Sequence, residues 1–534
     1  MTVQQKAFKS RRRYNQWVTN QTLEDFALRY TPVSARRWSA KRVVMTALSA
    51  ITFLALEAIG GALTLTYGFN YVVVAVILVS IIIFALSMPI AINAAKNGLD
   101  IDLLTRGAGF GYLGSTVTSL IYASFTFIFF ALEAAIMAMA LNMLFGLPLH
   151  FGYLIGSVVV IPLVTWGFTF ISRFQQFTQF CWLALQLLPF IFILIREHHV
   201  LQNWIDFPGF ITARDGSFDF LQLGAVCSVL LSLVSQVGEQ VDQVRFLPKP
   251  QHPARWRWYG AVIAAGPGWV VIGAIKILLG SFLAVLAFNY GLGAELASEP
   301  THMYLVAFSY VTHSSSTLLA LTGIFVVLSQ LKINVTNAYA GSIAWSNFFL
   351  RLTHRHPGRV VWLFFNVGIA LLLMELGVYR VFEDILGIYA VAATSWLGSV
   401  VADITLNKWL KLRPAEIEFR RAYLYDINPV GIGSMTLAML CGLSAWMGWL
   451  GHPLQVFASM LSLCLTFITA PFIAWLTRGR YYFSRTPVQV TATECCVCGN
   501  YFEKPEMSYC PFYQGSICSL CCSLDVQCND TCKP

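Results

Sequence analysis

Long apolar stretches constrain this chain more than any other feature of its sequence. Largely apolar runs of about 18 residues or more recur from Arg42 to Thr477, and such runs are long enough to cross a bilayer as helices. Only 11% of the residues are charged, whereas a soluble domain carries about 25%. The sequence therefore predicts an all-α polytopic membrane protein and excludes a soluble enzyme.

The apolar runs divide into about twelve predicted spans, each near or above the roughly 20 residues that a crossing requires. The spans cover residues 42–67, 70–96, 112–145, 150–172, 178–196, 219–244, 257–288, 303–343, 360–376, 378–404, 429–449 and 453–477. Several are long enough to indicate tilt, breaks or helical extensions. They form a predicted permease-like transmembrane domain at 42–478, between a basic N-terminal arm at 1–41 and a cysteine-rich tail at 479–534.

Basic residues are concentrated on one side of the predicted spans. The arm lacks the apolar core of a signal peptide and carries Lys6, Lys9, Arg11, Arg12, Arg13, Arg29, Arg36, Arg37 and Lys41. Loops at 245–257, 351–359 and 408–421 are also basic, whereas those at 146–150 and 291–302 contain no Lys or Arg. The positive-inside rule therefore predicts that both termini are cytoplasmic. Topology and contact with anionic lipid account for the net charge of +9, so we predict no nucleic-acid partner.

Nine of the thirteen cysteines lie in the tail, between Cys495 and Cys532. Two C-x2-C pairs, Cys495–Cys498 and Cys518–Cys521, stand about 20 residues apart, a spacing that is typical of tetrahedral zinc sites. A second site is predicted among the remaining tail cysteines, which are Cys496, Cys510, Cys522, Cys528 and Cys532. An iron–sulfur cluster is one alternative, and free thiols or disulfides are another, although a reducing cytosol disfavours disulfides. Because so short a tail buries little core, we expect a structural metal to fold it.

Polar and ionisable residues interrupt the apolar pattern of four spans. Such groups face the interior of a helix bundle and mark a binding site or an ion path. They are Glu57 in span 1, Glu133 in span 3, the segment 235–242 in span 6, and Lys332, Asn334 and Asn337 in span 8. Breaks in spans 1 and 6, five spans apart, fit an inverted repeat in which unwound backbone lines a cavity.

Two of these features have a structural alternative. The break in span 1 is expected at Gly60-Gly61, but a glycine pair also allows two helices to pack closely. Glu239, Asp242 and Arg245 are expected in the polar region of span 6, and the alternative places them at its wet cytoplasmic end as paired charges.

Four motifs in register over roughly residues 40–475 carry a family resemblance. They are GLDIDLLTRGAGFGYLGSTVTSL at 98–120, DQVRF at 242–246, NVTNAYAGSIAWSNF at 334–348 and SWLGSVVADI at 395–404. They resemble motifs of the nucleobase–cation symporter family, which includes cytosine permease and the hydantoin transporter. The resemblance implies a leucine-transporter-like fold, with two inverted five-helix repeats plus two helices. It also implies a multi-pass protein of the bacterial inner membrane that binds a small purine, pyrimidine or hydantoin between spans 1, 3, 6 and 8.

The resemblance also implies which residues bind the ligand. The stacking aromatic of the family falls on Phe129, and its substrate-binding amide falls on Glu133, one helical turn further along the same face. The other predicted ligand contacts are Ser235, Gln236, Asn334 and Asn337. A second aromatic wall of the family site is lost, because its position falls near Leu233.

The sodium site of the family is the sharpest departure. Its two hydroxyl residues fall on Lys332 and Ile333, and Glu57 falls in the stretch that supplies backbone carbonyls. We therefore expect the Lys332 ammonium to replace the ion, with Glu57 as its counter-ion, and we expect no sodium in the membrane domain. Proton coupling stays open, because buried lysines change protonation readily. The alternative is that Lys332 lies one turn away and reaches water.

Two functions remain open at this point. One is secondary transport of the heterocycle by alternating access. The other is a sensor that relays ligand occupancy to a cytoplasmic signalling partner, because the ending CSLCCSLD…CKP resembles the junction between permease-like domains and bacterial sensor histidine kinases. No catalytic triad or catalytic metal site is recognisable, so we predict that the chain is not an enzyme.

Overall fold

A computed structural model describes residues 21–197, 199–211, 218–250, 255–377, 382–488 and 490–533. The basic cluster at 6–13 of the predicted arm lies outside the described residues. Nine helices in the described part of the chain are long and apolar enough to cross a membrane. The other three predicted spans correspond to a broken helix (span 1), two short helices (span 4) and a helix of 17 residues (span 9). The prediction of an all-α polytopic membrane protein is thus confirmed.

The N-terminal half supplies spans 1 to 5. Its helices are Gln21–Glu24 (α1), Ala40–Ser49 (α2), Ala55–Tyr67 (α3), Phe69–Asn97 (α4), Ile101–Thr105 (α5), Ser115–Phe145 (α6), Leu149–Val158 (α7), Val160–Thr165 (α8) and Gly167–Arg196 (α9). A π-type turn, Arg106–Phe110, follows α5. Span 1 is α2 with α3, span 2 is α4, span 3 is α6, span 4 is α7 with α8, and span 5 is α9.

The C-terminal half supplies spans 6 to 12. Its helices are Val200–Ile205 (α10), Phe220–Leu231 (α11), Gln236–Val244 (α12), Arg255–Ala265 (α13), Trp269–Asn289 (α14), Ala294–Ala297 (α15), Pro300–Ser309 (α16), Ser315–Thr353 (α17), Arg359–Glu375 (α18), Phe382–Ala402 (α19), Pro429–Trp446 (α20), His452–Val456 (α21) and Ala458–Leu476 (α22). Span 6 is α11 with α12, span 7 is α13 with α14, and span 8 is α17. Spans 9 to 12 are α18, α19, α20 and α22.

Span 1 breaks at residues 50–54, between α2 and α3, so the predicted break at Gly60-Gly61 is wrong. The two glycines lie inside α3 and pack against α14. A Cβ on Gly60 would lie only 2.0 Å from the carbonyl oxygen of Ile277, and a Cβ on Gly280 would lie 2.2 Å from the Cα of Glu57. The close-packing alternative is therefore the correct one. In span 6, the predicted discontinuity is a single 3-10 turn, Ser232–Ser235.

Two predicted span boundaries are also wrong. Residues 173–177 are helical, and the chain breaks instead at Gly167, whose φ is +68°. The polar residues that indicated a loop make interhelical hydrogen bonds; for example, Gln175 donates from Nε2 to the carbonyl oxygen of Lys332 (2.7 Å). Span 8 begins at Ser315, because α16 is a separate helix that ends at Ser309.

Residues 493–533 form a compact unit that we call the cysteine module. Strands Met507–Cys510 (β1) and Gly515–Cys518 (β2) pair antiparallel, and helix Ser519–Leu524 (α23) follows β2 directly. The small apolar core of the module includes Val497 and Ile517, and it also takes in Leu28 of the N-terminal arm and Leu350 of the membrane domain. We call the end of the helix bundle that carries the module and residues 21–39 the tail side.

Candidate functional site

Side chains from spans 3 and 8 cap the break in span 1. The Glu133 carboxylate accepts hydrogen bonds from the backbone amides of Leu54 (3.2 Å) and Ala55 (3.4 Å), at the start of α3. Gln330 of α17 also accepts from the Leu54 amide (3.3 Å). An anion at a helix N-terminus satisfies unpaired amides and interacts favourably with the helix dipole. Glu133 and Gln330 therefore hold the broken helix in place and lie where the family site is expected.

A buried ion pair stands beside the same break. The Lys276 ammonium of α14 lies 2.6 Å from the Glu57 carboxylate and 3.3 Å from the carbonyl oxygen of Thr52, within the broken segment. The Tyr304 hydroxyl donates to the same carboxylate (3.2 Å), and the Trp182 ring lies 5.5 Å from the ammonium. Glu57 and Lys276 are almost completely shielded from solvent. A tethered cation thus binds the unwound backbone of span 1.

The predicted pairing of Glu57 with Lys332 is wrong. Lys332 is buried, but its ammonium donates to the carbonyl oxygen of Gln175 (3.0 Å) and the hydroxyl of Thr178 (3.0 Å), both in α9. Gln330 faces the break, and a residue two positions later lies about 200° around a helix. Lys332 therefore points towards span 5, and the alternative that it reaches water is also wrong.

The six residues predicted to bind ligand are buried, at 2% exposure or less. Phe129 packs against Phe125 at a centroid distance of 4.5 Å. Asn334 and Asn337 are hydrogen-bonded to each other (3.2 Å). Because Asn334 follows Gln330 by one helical turn, both lie on the face of α17 that meets the broken segment. The roles of the six residues in binding remain a prediction.

The polar residues of span 6 are shielded from solvent. Glu239, Asp242 and Arg245 are each at most 1% exposed, so the alternative that they form a wet charged end is wrong. Ser235 is hydrogen-bonded to the Tyr389 hydroxyl (2.7 Å), and Gln236 donates to Glu239 (2.8 Å). Both side-chain atoms of Gln240, one turn after Gln236, lack a hydrogen-bond partner among the described residues.

Sequence reasoning missed several residues of this region, including Gln330, Lys276 and Tyr389. Lys276 lies in the apolar run AIKILLG, and it carried the same signal as Lys332, an intramembrane charge. Tyr389 of α19 stacks on Phe125, with ring centroids 6.0 Å apart, and thereby places an aromatic ring beside Ser235. A tyrosine in an apolar run is common in packed cores, so the sequence held no signal for Tyr389.

Three of the motifs that carry the family resemblance meet at the tail side. Arg106 of the first motif donates to Asn347 of the third (2.8 Å). Arg245 of the second motif contacts Asp100 of the first (3.4 Å) and the Tyr339 hydroxyl of the third (3.0 Å). These buried contacts join segments far apart in the sequence and close the tail side of the bundle.

The two C-x2-C pairs meet in the cysteine module. The sulfurs of Cys495, Cys498, Cys518 and Cys521 all lie within 4.8 Å of one another, so the cluster is able to hold a metal ion. The Cys518 amide donates to the Cys495 sulfur (3.3 Å), and the Cys521 amide donates to the Cys518 sulfur (3.4 Å). Such N–H···S bonds orient thiolates and stabilise their charge. The hydrogen bond with Cys498 is the largest single effect on the pKa of the Cys495 thiol, and it raises that pKa. Hydrogen bonds from the thiols of Cys518 and Cys521 together outweigh it, so the pKa of Cys495 falls to about 7.

A second group of thiols lies close by. A small cavity is lined by Cys510, Cys522, Cys528 and Cys532, together with Asp525 and Asp530. Burial raises the pKa of the Cys522 thiol to about 12 and also raises that of Cys510. Cys496 does not line this cavity. The described residues include all thirteen cysteines, and none of them forms a disulfide.

The fold is similar to those of solved transporter structures. One is Mhp1, a nucleobase-cation-symport-1 family transporter in a closed conformation with bromovinylhydantoin bound; it is 16% identical, over 84% of this chain and 95% of that chain, with a TM-score of 0.61. Another is a Na+-coupled sialic acid symporter in a substrate-bound outward-open state, which is 14% identical over 88% of this chain and 96% of that chain, with a TM-score of 0.55. No protein-family model and no curated protein matches the sequence. The similarity confirms the predicted leucine-transporter-like fold of a multi-pass membrane protein.

Proposed function

We propose that this protein binds a nucleobase-like heterocycle between spans 1, 3, 6 and 8 and moves it by alternating access. The observation that carries the proposal is a set of buried polar atoms without hydrogen-bond partners among the described residues, on the faces of spans 6 and 8. They are Gln240 Oε1 and Nε2, Glu239 Oε1 and Asn334 Nδ2. Buried polar atoms are normally paired, so these donors and acceptors fit a ligand whose edge carries both.

The aromatic residues of the site fit a flat ring. Phe129 lies one turn before Glu133, and Phe125 packs between Phe129 and Tyr389. In this proposal Tyr389 replaces the aromatic wall that is lost at Leu233, and a heterocycle stacks against this cluster. Glu133 retains acceptor capacity after its two bonds to span 1, because a carboxylate accepts about four hydrogen bonds.

The test is ligand binding to the purified protein in lipid nanodiscs, with cytosine, uracil, adenine, guanine and hydantoin as probes. We expect saturable binding of at least one ring. Tyr389→Phe removes only a hydroxyl, whereas Tyr389→Ala removes the ring, and we expect the second variant alone to weaken binding severely. Retention of full affinity by Tyr389→Ala, or no binding of any probe, would contradict the proposal.

Sodium independence is the second part of the proposal. The ammonium of Lys276 already lies within hydrogen-bond distance of the Thr52 carbonyl oxygen. The hydroxyl of Ser329 in span 8 accepts from the Trp182 indole (2.9 Å), and the hydroxyl of Thr52 donates to the carbonyl oxygen of Ser329 (2.8 Å). The carbonyl oxygens of Thr52 and Ser329 and the hydroxyl oxygen of Ser329, between spans 1 and 8, are the type of ligand that sodium prefers. In this structure they accept hydrogen bonds from protein donors. We infer that Lys276 supplies the positive charge that sodium supplies in cation-coupled relatives of the fold.

We further propose that the cysteine module binds two zinc ions. Cys495, Cys498, Cys518 and Cys521 hold the first, as their clustered sulfurs indicate. The second set, Cys510, Cys522, Cys528 and Cys532, lines one cavity and offers four thiols. Metal analysis of the full chain tests this. The unchanged protein is expected to contain two zinc ions per chain. The double variant Cys528→Ser with Cys532→Ser should contain one zinc ion, and the control variant Cys464→Ser, in span 12, should contain two. Iron in place of zinc, or one ion in every case, would contradict it.

Sensing is the second candidate function, and the docking of the cysteine module onto the tail side favours it. His354, at the end of α17, is hydrogen-bonded to the carbonyl oxygen of Ser523 in the module (3.0 Å). A change in the position of span 8 would therefore reach the module directly and could be passed to a cytoplasmic signalling partner. Binding of the heterocycle without counterflow of labelled ligand in proteoliposomes would favour sensing, and saturable counterflow would favour transport.

A further inference from the structure

The cysteine module joins parts of the membrane domain that belong to different helices. On the tail side it contacts the segment 29–34 that leads into span 1, the loop 411–428 between spans 10 and 11, and His354 at the end of span 8. Alternating access in this fold requires groups of helices to move relative to each other around a central site. A unit that bridges them therefore opposes that motion.

Two glutamates of the module hold the segment that leads into span 1. Glu506 forms a two-pronged ion pair with Arg29, in which Nη2 donates at 2.7 Å. Glu503 accepts hydrogen bonds from the Tyr30 hydroxyl and from the backbone amides of Val33 (3.1 Å) and Ser34 (3.1 Å). Charge-assisted and bidentate contacts of this kind are the strong ones, so the segment is firmly attached to the module.

Residues 25–31, which overlap this segment, pack into the tail side of the bundle. Asp25 accepts hydrogen bonds from the Tyr339 hydroxyl of α17 (2.6 Å) and the Phe168 amide of α9 (2.8 Å). The Thr31 amide donates to the carbonyl oxygen of Gly98, after α4 (2.7 Å). Opening of the tail side would have to break these bonds and pull the segment away from the module.

A third set of contacts fixes the loop 411–428 to the module. Arg421 donates from Nη1 to the carbonyl oxygens of Cys522 (2.8 Å) and Asp525 (2.8 Å). Lys533 forms an ion pair with Asp426 (2.8 Å), and the carbonyl oxygen of Asp426 accepts from the Leu113 amide, before α6. The module thus reaches the start of span 3 through this loop.

We propose that the metal-bound cysteine module is a latch that keeps the tail side of the membrane domain closed. This inference rests on the metal binding proposed above. Glu503 and Glu506 lie on the chain between Cys498 and Cys518, so a metal held by both C-x2-C pairs closes that loop and fixes the two carboxylates. The carbonyl oxygens of Cys522 and Asp525, which accept from Arg421, lie within four residues after Cys521. Loss of the metal unfolds the loop, releases residues 29–34 and lowers the barrier to opening.

Hydrogen–deuterium exchange of the full chain in nanodiscs tests the latch. It compares the zinc-loaded protein, the protein after chelation, Glu503→Ala with zinc, and the control Glu494→Ala, which changes an exposed residue of the module. Chelation and Glu503→Ala are each expected to speed exchange of the Val33 and Ser34 amides about tenfold, the effect of losing one hydrogen bond to a charged group. Glu494→Ala is expected to behave as the unchanged protein.

Two results would overturn the latch and are distinct from each other. If chelation removes zinc and exposes 495–521 but leaves exchange of the Val33 and Ser34 amides unchanged, the metal site stands and the latch is wrong. If no metal is bound while Glu503→Ala still speeds exchange, the metal proposal fails and docking does not depend on metal. Faster exchange in both treatments, with zinc retained by Glu503→Ala, supports the latch.

Discussion

The ion pair between Glu57 and Lys276 gives the sharpest test of the buried charges. The two groups are 2.6 Å apart, so their attraction at an effective dielectric constant near 20 is about 6 kcal/mol. Lys276→Met keeps most of the length of the side chain and removes the charge. The carboxyl group of Glu57 is then left buried without a cation, and breaking a buried pair in this way typically costs about 3–5 kcal/mol of folding free energy.

Protonation of Glu57 limits this loss in the variant. At pH 7, protonating a carboxyl group whose ordinary pKa is about 4.3 costs about 4 kcal/mol, and at pH 5 it costs about 1 kcal/mol. The destabilisation caused by Lys276→Met should therefore shrink as the pH falls. We expect a loss of about 4 kcal/mol at pH 7, measured by equilibrium unfolding in mixed detergent micelles, and most of it should disappear at pH 5.

Two further variants complete this test. Glu57→Gln combined with Lys276→Met removes both charges, and it should recover most of the stability that either single change loses. Lys332→Met is the matched control, because the ammonium of Lys332 contacts a backbone carbonyl and a hydroxyl and no carboxylate of the described residues. It should be neutral or stabilising. A loss below about 1 kcal/mol for Lys276→Met at pH 7, or no recovery in the double variant, would refute the reasoning.

Three other predictions follow from the same contacts. Glu133→Gln should cost about 1 kcal/mol of stability, because it removes an anion from the start of α3, and should change which heterocycle binds in a competition assay; an unaltered ligand profile would remove Glu133 from the site. Gly280→Ala should cost about 3 kcal/mol in unfolding measurements, because its Cβ would overlap the Glu57 backbone, whereas Gly368→Ala, with open space around it, should be tolerated. Cys518→Ser should lose one zinc ion in metal analysis, and full retention would contradict the first site.

The fold was largely predictable because hydrophobicity and charge determine it. Apolar runs located the spans, and four short motifs indicated the family-like architecture. The first metal cluster was also accessible, since the spacing of Cys495, Cys498, Cys518 and Cys521 restricts the chemistry that these thiols support. In each case the signal lies in local sequence and needs no knowledge of which helix faces which.

The partner of Glu57 was not predictable, because it depends on which helices face each other. Two intramembrane lysines, Lys276 and Lys332, carry the same sequence signal, and only the orientation of α14 and α17 decides which of them meets the carboxylate. The position of α14 depends on close packing of Gly60 against Ile277 and of Gly280 against Glu57. From the sequence, the pair Gly60-Gly61 was equally compatible with a break in span 1. The break itself, at residues 50–54, is stabilised by Glu133 and Gln330 from distant helices.

Sodium dependence of ligand binding tests the central claim most directly. The affinity of the purified protein for its heterocycle is measured in nanodiscs while sodium is replaced stepwise by choline at constant ionic strength. A charge supplied by Lys276 predicts the same affinity throughout the series. An affinity that rises at least about tenfold with sodium, which corresponds to 1.4 kcal/mol of coupling, would contradict the claim that a tethered ammonium has replaced the ion.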